Sequence, residues 1–367
     1  MVAAGRPPSL AIAHDWMVEY AGSERCVREL LTLFPSARVL TTVMNRDALP
    51  SDLQRSESSW LQRVPLTTTH HEWFLPLMLL TWSLRRPLEG VDAVVSSSHA
   101  CAKGIRLAPG IPHVCYCHTP MRYAWNYEAE RERFASAARP LVRLGAAALR
   151  TWDASTARNV DRFVANSSAV AARIRQAYDR VADVVFPPVD TDFYRPGGER
   201  ENFFLFVGRL VSYKRPDIAL QAFRTVRAPL YVVGHGQLES RLRRMAPANV
   251  SFLGSVSDVQ LRSLYQRARA LIHPGEEDFG IAMAEAQATG TPVIGSSSGG
   301  ARDIVRDGET GWLLREPTVA ALEDAITRAQ REPLDVSAIR RNSVRFSREV
   351  FRRRMAAIIA ETIDGGG

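Results

Sequence analysis

The chain has 367 residues, 46% of them hydrophobic and 23% charged, which excludes a disordered or fibrous protein and allows two globular domains. Its 47 basic and 39 acidic residues leave a net charge of +8, which favours phosphates, nucleic acid or anionic lipid as partners. The longest apolar run, 73–84, contains Pro76 and is too short to cross a bilayer.

Residues 1–8 lack the apolar centre of a secretory leader, so a cytoplasmic protein is expected. Residues 10–13 read as a first strand, ending in His14-Asp15-Trp16. The turn Ala21-Gly22-Ser23-Glu24 then opens a helix, with Gly22 where backbone N–H groups approach a ligand closely. Further strand-like runs fall at 37–42, 93–96, 113–117 and 162–165. The run 73–84, followed by Arg85 and Arg86, has two readings: a buried core helix, or a segment lying on an anionic membrane surface. The run 113–117 ends in His118, and a histidine at a strand's carboxyl end suits a polar contact to substrate. Cys115 and Cys117 share a face of that strand and are poorly placed to bridge each other; with Cys26 and Cys101 they read as buried thiols in a reducing cytosol.

Residues 186–198 hold three prolines and a glycine pair, which stop helix and strand alike and mark a linker. They separate an N-terminal domain, 1–188, from a second, 189–346, with strand-like runs at 203–207, 230–233, 251–253, 270–273 and 292–295. Several runs are continuously apolar, as in parallel sheets covered on both faces, and apolar spacing predicts a helix over 217–226. Strand–helix alternation implies doubly wound α/β units, whose ligands bind beyond the carboxyl ends of the strands, so two facing domains would enclose a cleft. An arginine-rich helical stretch, 347–363, closes the chain before a frayed Gly365-Gly366-Gly367.

Two strand ends in the second half carry the chemistry. The run 203–207 ends in Gly208-Arg209, with Lys214 close behind, and two cations at a helix start clamp a diphosphate. The run 270–273 leads into Pro274-Gly275-Glu276-Glu277-Asp278-Phe279-Gly280-Ile281, with Glu285 eight residues after Glu277. A helix N-terminus between two carboxylates suits an anionic, hydroxyl-rich ligand; the plainer alternative is a βα unit with acids near its helix start. Gly234-His235-Gly236 is an incomplete dinucleotide fingerprint. Asp190-Thr191-Asp192 has the spacing of a metal-binding pair but lies in the linker, and His70-His71 lacks zinc-ligand spacing, so no metal is expected.

Taken together, Gly208-Arg209 with Lys214, and Pro274 through Glu285, resemble glycosyltransferase family 4, whose Glu-x7-Glu motif the second segment matches. The resemblance implies an α/β GT-B fold: two Rossmann-like domains facing a cleft, with the terminal helix returning to the N-terminal, acceptor-binding domain. Gly22-Ser23-Glu24 is similar to the family's glycine turn, with Ala21 in place of a first glycine. Residues 116–125 and 99–104 look like bacterial mannosyltransferases of polysaccharide and O-antigen assembly. By that resemblance Arg209 and Lys214 would hold the donor diphosphate, and Glu277, with the N–H groups of Phe279, Gly280 and Ile281, the donor sugar. Glu285 would hold the ribose, Val256 would lie by the base, His118 would touch the sugar, Gly22 would border the diphosphate and acceptor, and loop 296–300 would close the cleft.

The implied reaction is a retaining transfer of mannose from GDP-mannose to a glycan or lipid-linked acceptor, without cofactor, metal or protein nucleophile, and with no nucleic-acid partner. The enzyme would work in the cytoplasm or peripherally on the inner face of an anionic membrane. A UDP-sugar or another GDP-sugar as donor, a phosphorylase or epimerase on the same scaffold, and a non-catalytic polyanion-binding protein are the alternatives.

Overall fold

Residues 8–125 and 139–365 are described by the computed structural model, so the N-terminal segment 1–7 and the last two tail glycines lie outside the described residues. The chain divides into two units, Met1–Val185 with Phe351–Gly367, and Phe186–Val350.

The first unit is built on a seven-stranded sheet in the order β3-β2-β1-β4-β5-β6-β7, parallel throughout. Its strands are β1 (Leu10–His14), β2 (Arg38–Thr41), β3 (Glu57–Ser58), β4 (Ala93–Ser98), β5 (His113–Cys117), β6 (Arg162–Ala165) and β7 (Ala182–Val184). Every residue of β1, β4 and β5 is buried, as the unbroken apolar runs predict for strands covered on both faces. Sequence reading missed β3 and β7, which are edge strands of two and three residues, too short to show a period of their own. All four cysteines are buried and free.

The C-terminal helix Arg348–Gly365 joins this unit's core through Phe351, Met355, Ile358 and Ile359, spaced to form one stripe. Phe351 meets Tyr116 of β5 edge to face, with ring centroids 5.5 Å apart. Each such apolar side chain contributes on the order of 2 kcal/mol by leaving water. Arg352, on the same helix, pairs with Glu29 at 3.3 Å.

The second unit carries a six-stranded parallel sheet in the order β10-β9-β8-β11-β12-β13. Its strands are β8 (Phe204–Val207), β9 (Leu230–Val233), β10 (Val250–Gly254), β11 (Ala270–His273), β12 (Val293–Ser296) and β13 (Gly311–Leu314). The strand-like runs of this half all appear within a residue or so; β13, an edge strand opening on glycine, was missed. The helix expected over 217–226 is Pro216–Ala222, followed by a turn in which the Thr225 hydroxyl donates to the Ala222 carbonyl at 2.9 Å. In the proline-rich segment the Asp190 carboxylate accepts the Phe193 N–H at 3.0 Å and pairs with Arg348 at 3.0 Å. Those bonds give Asp190 a structural role in its turn.

Candidate functional site

In the second unit the strand order is what assembles the site. β8 and β11 are hydrogen-bonded neighbours, so the loops leaving their carboxyl ends lie side by side. β8 runs into Gly208 and Arg209, then a single 3-10 turn, Ser212–Lys214. β11 ends at His273 and runs through Pro274-Gly275 towards the helix Ile281–Ala288. A Cβ on Gly275 would lie 2.2 Å from the Tyr213 carbonyl oxygen and 2.4 Å from the Lys214 Cα, so only glycine lets these loops touch.

That contact delivers Lys214 to Glu277. The Lys214 Nζ is 2.5 Å from Glu277 Oε1, and both side chains are largely shielded from solvent. The His273 Nε2 lies 3.2 Å from the same oxygen, and the imidazole stacks on Phe206 at 6.0 Å. Burial alone would raise the Glu277 pKa, but the Lys214 charge and the His273 hydrogen bond outweigh it and hold the carboxyl well below its ordinary range. Arg209 is exposed and donates to the Tyr213 hydroxyl at 3.2 Å.

Glu277 is followed by Phe279, buried between Phe186 and Phe346, and by Gly280, whose φ of +94° starts the helix in a conformation a side chain would disfavour. The first-turn N–H groups from Ile281 onward have no carbonyl one turn back within the helix and sit at its positive end. Glu285 lies inside that helix, buried, and accepts the Tyr265 hydroxyl at 3.2 Å. Val256 is half-buried, just before the helix Asp258–Arg267. The loop after β12 folds over the Glu277 segment, with the Gly300 N–H donating to the Glu277 carbonyl at 2.9 Å.

Gly22 and His118 belong to the first unit. Gly22 is the first residue of the helix Gly22–Leu33, and the Glu24 carboxylate folds back to accept the Ala21 N–H at 3.0 Å. His118 follows β5, with its Nε2 2.8 Å from the Ser97 hydroxyl. Ser97 also lies 3.0 Å from His14 Nδ1, and His14 Nε2 lies 3.2 Å from Glu24. His14, His99 and His118 are mutual ring neighbours, with centroids 6.2 to 6.5 Å apart. Burial, then the neighbouring His99 and His14, pushes His118 down to about 3. Burial would lower His14 too, but the Glu24 hydrogen bond and charge outweigh it and raise its pKa.

Sequence reading quoted His14 and Asp15 as strand-end residues without assigning them a partner. Asp15 is completely buried and accepts the backbone N–H groups of His99, Ala100, Cys101 and Ala102 at 2.5 to 2.9 Å. It thereby fixes the loop that begins the 99–104 motif. Lys103 of that motif forms a buried ion pair with Asp153, which also accepts the Trp125 indole N–H at 2.7 Å and the Tyr178 hydroxyl at 2.6 Å. His273 was missed as well; its signal was a histidine at a strand end, four residues before Glu277.

Comparison with known proteins places this geometry in a family. The model for Glycosyltransferase Family 4 matches residues 20–193, and that for Glycosyl transferases group 1 matches 192–345. The D-inositol 3-phosphate glycosyltransferase of Mycobacterium leprae (strain Br4923) is 30% identical over 307 residues, which cover 71% of this chain and 72% of that protein. The chain belongs to glycosyltransferase family 4. A second relative of the same description, from Mycobacterium tuberculosis (strain ATCC 25177 / H37Ra), is 34% identical over 192 residues, 45% of this chain and 40% of that protein. Among solved structures, Anabaena Alr3699/HepE in complex with UDP superposes with a TM-score of 0.71 at 16% identity, covering 97% of this chain and all 100% of that one. Sucrose-phosphate synthase from Thermosynechococcus elongatus gives 0.72 at 17%, covering 98% and 100%. At such identities the likeness establishes the fold, the GT-B pair of Rossmann-like units. This family 4 chain is therefore a glycosyltransferase, and its two strand-end clusters are the candidate substrate-binding groups.

Proposed function

We propose that the protein is a retaining hexosyltransferase that moves mannose from GDP-mannose to a glycan or lipid-linked glycan acceptor. The observation that carries the donor half is the meeting of Lys214, Glu277 and His273 at the carboxyl ends of two adjacent strands, beside Arg209 and a helix N-terminus. Cations placed there neutralise the charge that builds on a departing diphosphate, and a carboxylate kept ionised beside them accepts hydrogen bonds from sugar hydroxyls. Glu285 would be the partner for the ribose, and the N–H groups of Phe279, Gly280 and Ile281 would join Glu277 near the donor sugar.

In the first unit His118 is a polar contact for substrate and Gly22 leaves room for its approach to the backbone. The acceptor hydroxyl attacks the anomeric carbon on the face from which the nucleoside diphosphate departs, and the leaving phosphate oxygen takes the hydroxyl proton. Positioning and electrostatic stabilisation suffice, with no protein nucleophile, cofactor or metal in the step.

Thermal shift against a panel of nucleotide sugars tests the donor. GDP-mannose should raise the melting temperature in a concentration-dependent way. A response confined to UDP-sugars would replace this donor with the second reading, which the UDP and UDP-glucose complexes of Anabaena Alr3699/HepE favour. The configuration of the product, read by NMR, tests retention.

A further inference from the structure

We infer that the surface formed by residues 60–86 docks the protein on an anionic phospholipid membrane. Ten large hydrophobic side chains stand exposed among the described residues, and five of them fall in this one stretch: Trp60 at 53%, Leu66 at 61%, Trp73 at 73%, Leu80 at 45% and Leu84 at 73%. Both tryptophans of the ten are among them. Scattered apolar residues on a surface need no explanation, whereas a cluster of this kind marks a contact surface.

The local structure shows why the cluster faces outward. The helix Leu75–Ser83 reads LPLMLLTWS and is apolar on every side. Leu75, Met78, Thr81 and Trp82 form its buried stripe, in the core that also holds Leu61 and Ala102. The opposite stripe would be polar on an ordinary surface helix. Here it is Trp73, Pro76, Leu80 and Leu84, three or four residues apart and all exposed. The 3-10 turn Trp60–Arg63 packs against this helix, which brings Trp60 to the same region. Trp73 is further held by His70, with ring centroids 4.4 Å apart.

Charge decides the occupant. Between 60 and 86 stand Arg63, Arg85 and Arg86 against one acid, Glu72, in a chain whose net charge is +8. Tryptophan and leucine on one face of a short helix, with arginines at its end, match a headgroup boundary: the apolar stripe enters the acyl edge and the guanidinium groups meet anionic headgroups. No helix among the described residues is long and apolar enough to cross a membrane, so the contact is peripheral. The surface also adjoins the His118 cluster, since His71 packs on Trp16 at 5.0 Å and Trp16 on His99 at 4.5 Å.

Sedimentation with liposomes tests this, independently of donor or acceptor identity. The purified chain is mixed with vesicles of phosphatidylcholine alone or with about 30 mol% phosphatidylglycerol. It should pellet with the anionic vesicles and much less with the neutral ones. The triple variant Trp73→Glu/Leu80→Glu/Leu84→Glu should stay in the supernatant while keeping the wild-type melting temperature, because none of the three belongs to the core. Arg85→Gln/Arg86→Gln, a milder change, should weaken anionic binding about 25-fold, at roughly fivefold per cation. Absence of wild-type binding to anionic vesicles, or undiminished binding by the triple variant, would overturn the proposal. So would wild-type self-association in analytical ultracentrifugation that the triple variant abolishes, because a second copy would then be the occupant.

Discussion

Lys214 Nζ stands 2.5 Å from Glu277 Oε1, so a cation and a carboxylate expected to hold different parts of a nucleotide sugar are bonded to each other. In a nearly dry setting the Lys214 charge keeps Glu277 ionised, and under the proposed function a donor diphosphate would compete with Glu277 for Lys214. Lys214→Met removes the proposed diphosphate contact and leaves the carboxylate with His273. Transfer should fall at least 100-fold in kcat/KM, as for loss of one stabilising group, and stability should fall by about 2 kcal/mol. Lys214→Met/Glu277→Gln should recover most of the stability and none of the activity. Denaturant melts and initial rates on the four members of the cycle separate the two effects.

The same pair sets an acid limit. Free glutamate titrates near 4.3, and the Glu277 carboxyl is held below that value in the folded chain. The unfolded chain therefore takes up the proton first, and the pair's contribution to stability is complete above about pH 4.5 and shrinks as pH falls further. Glu277→Gln should flatten the wild-type drop in melting temperature between about pH 4.5 and 3, a range fixed by the ordinary glutamate pKa. An unchanged slope would show that other groups dominate there.

Asp15 offers an independent check in the first unit. Burial raises its pKa, but His99, His14 and the backbone N–H groups it accepts outweigh that and bring it from 3.8 down to about 2. A shift of that size corresponds to about 2 kcal/mol of stability above pH 4, lost as pH falls towards 2. Asp15→Asn presents an amide to four backbone donors, so unfolding free energy should drop by about 2–3 kcal/mol, measured by urea titration.

How much of this was legible in the sequence follows from what each feature depends on. The strands 113–117, 162–165, 230–233 and 270–273 emerge with the expected limits because sheets covered on both faces require unbroken apolar runs. β3 and β7 exist through pairing with a neighbour, and a run of two or three residues carries no pattern to show it, while β13 is an edge strand that opens on a glycine. The strand-end placement of Lys214, Glu277 and His118 was readable from spacing. The Lys214–Glu277 bond was not, because it depends on the side-by-side order of β8 and β11 and on the absence of a Cβ at Gly275. Asp15 likewise finds its partners 84 to 87 residues further along the chain, a distance no local pattern spans.

Gly275→Ala tests the close approach directly. Its Cβ would lie 2.2 Å from the Tyr213 carbonyl oxygen, a backbone atom that cannot swing aside as a side chain would. The 213–214 backbone must move away, and Lys214 with it. Overpacking of this kind costs about 1–3 kcal/mol. Donor affinity, measured by calorimetry with the nucleoside diphosphate, should fall together with the melting temperature.

A hydrogen-bonded chain runs from Glu24 through His14 and Ser97 to His118 and sets the expected proton position on the His118 ring. The Glu24 carboxylate beside His14 Nε2 and the Ser97 carbonyl beside its Nδ1 are both acceptors, which calls for a proton on each ring nitrogen, one directed to Glu24 and one to Ser97; the raised pKa of His14 agrees in direction. The Ser97 hydroxyl, receiving that bond, is then expected to donate to His118 Nε2, 2.8 Å away. His118 is neutral at pH 7 because its pKa is pushed down to about 3, so with Ser97 donating to Nε2 its single proton is expected on Nδ1, which is then its donor. Ser97→Ala removes the hydroxyl that selects this tautomer while leaving the backbone carbonyl to hold His14 at 3.0 Å. The variant should fold, lose about tenfold in kcat with a smaller change in donor KM, and show mixed Nδ1–H and Nε2–H signals for His118 in nitrogen-15 NMR. A wild-type spectrum with the proton on Nε2 would reverse the direction of the chain, and Ser97 would then accept from His118.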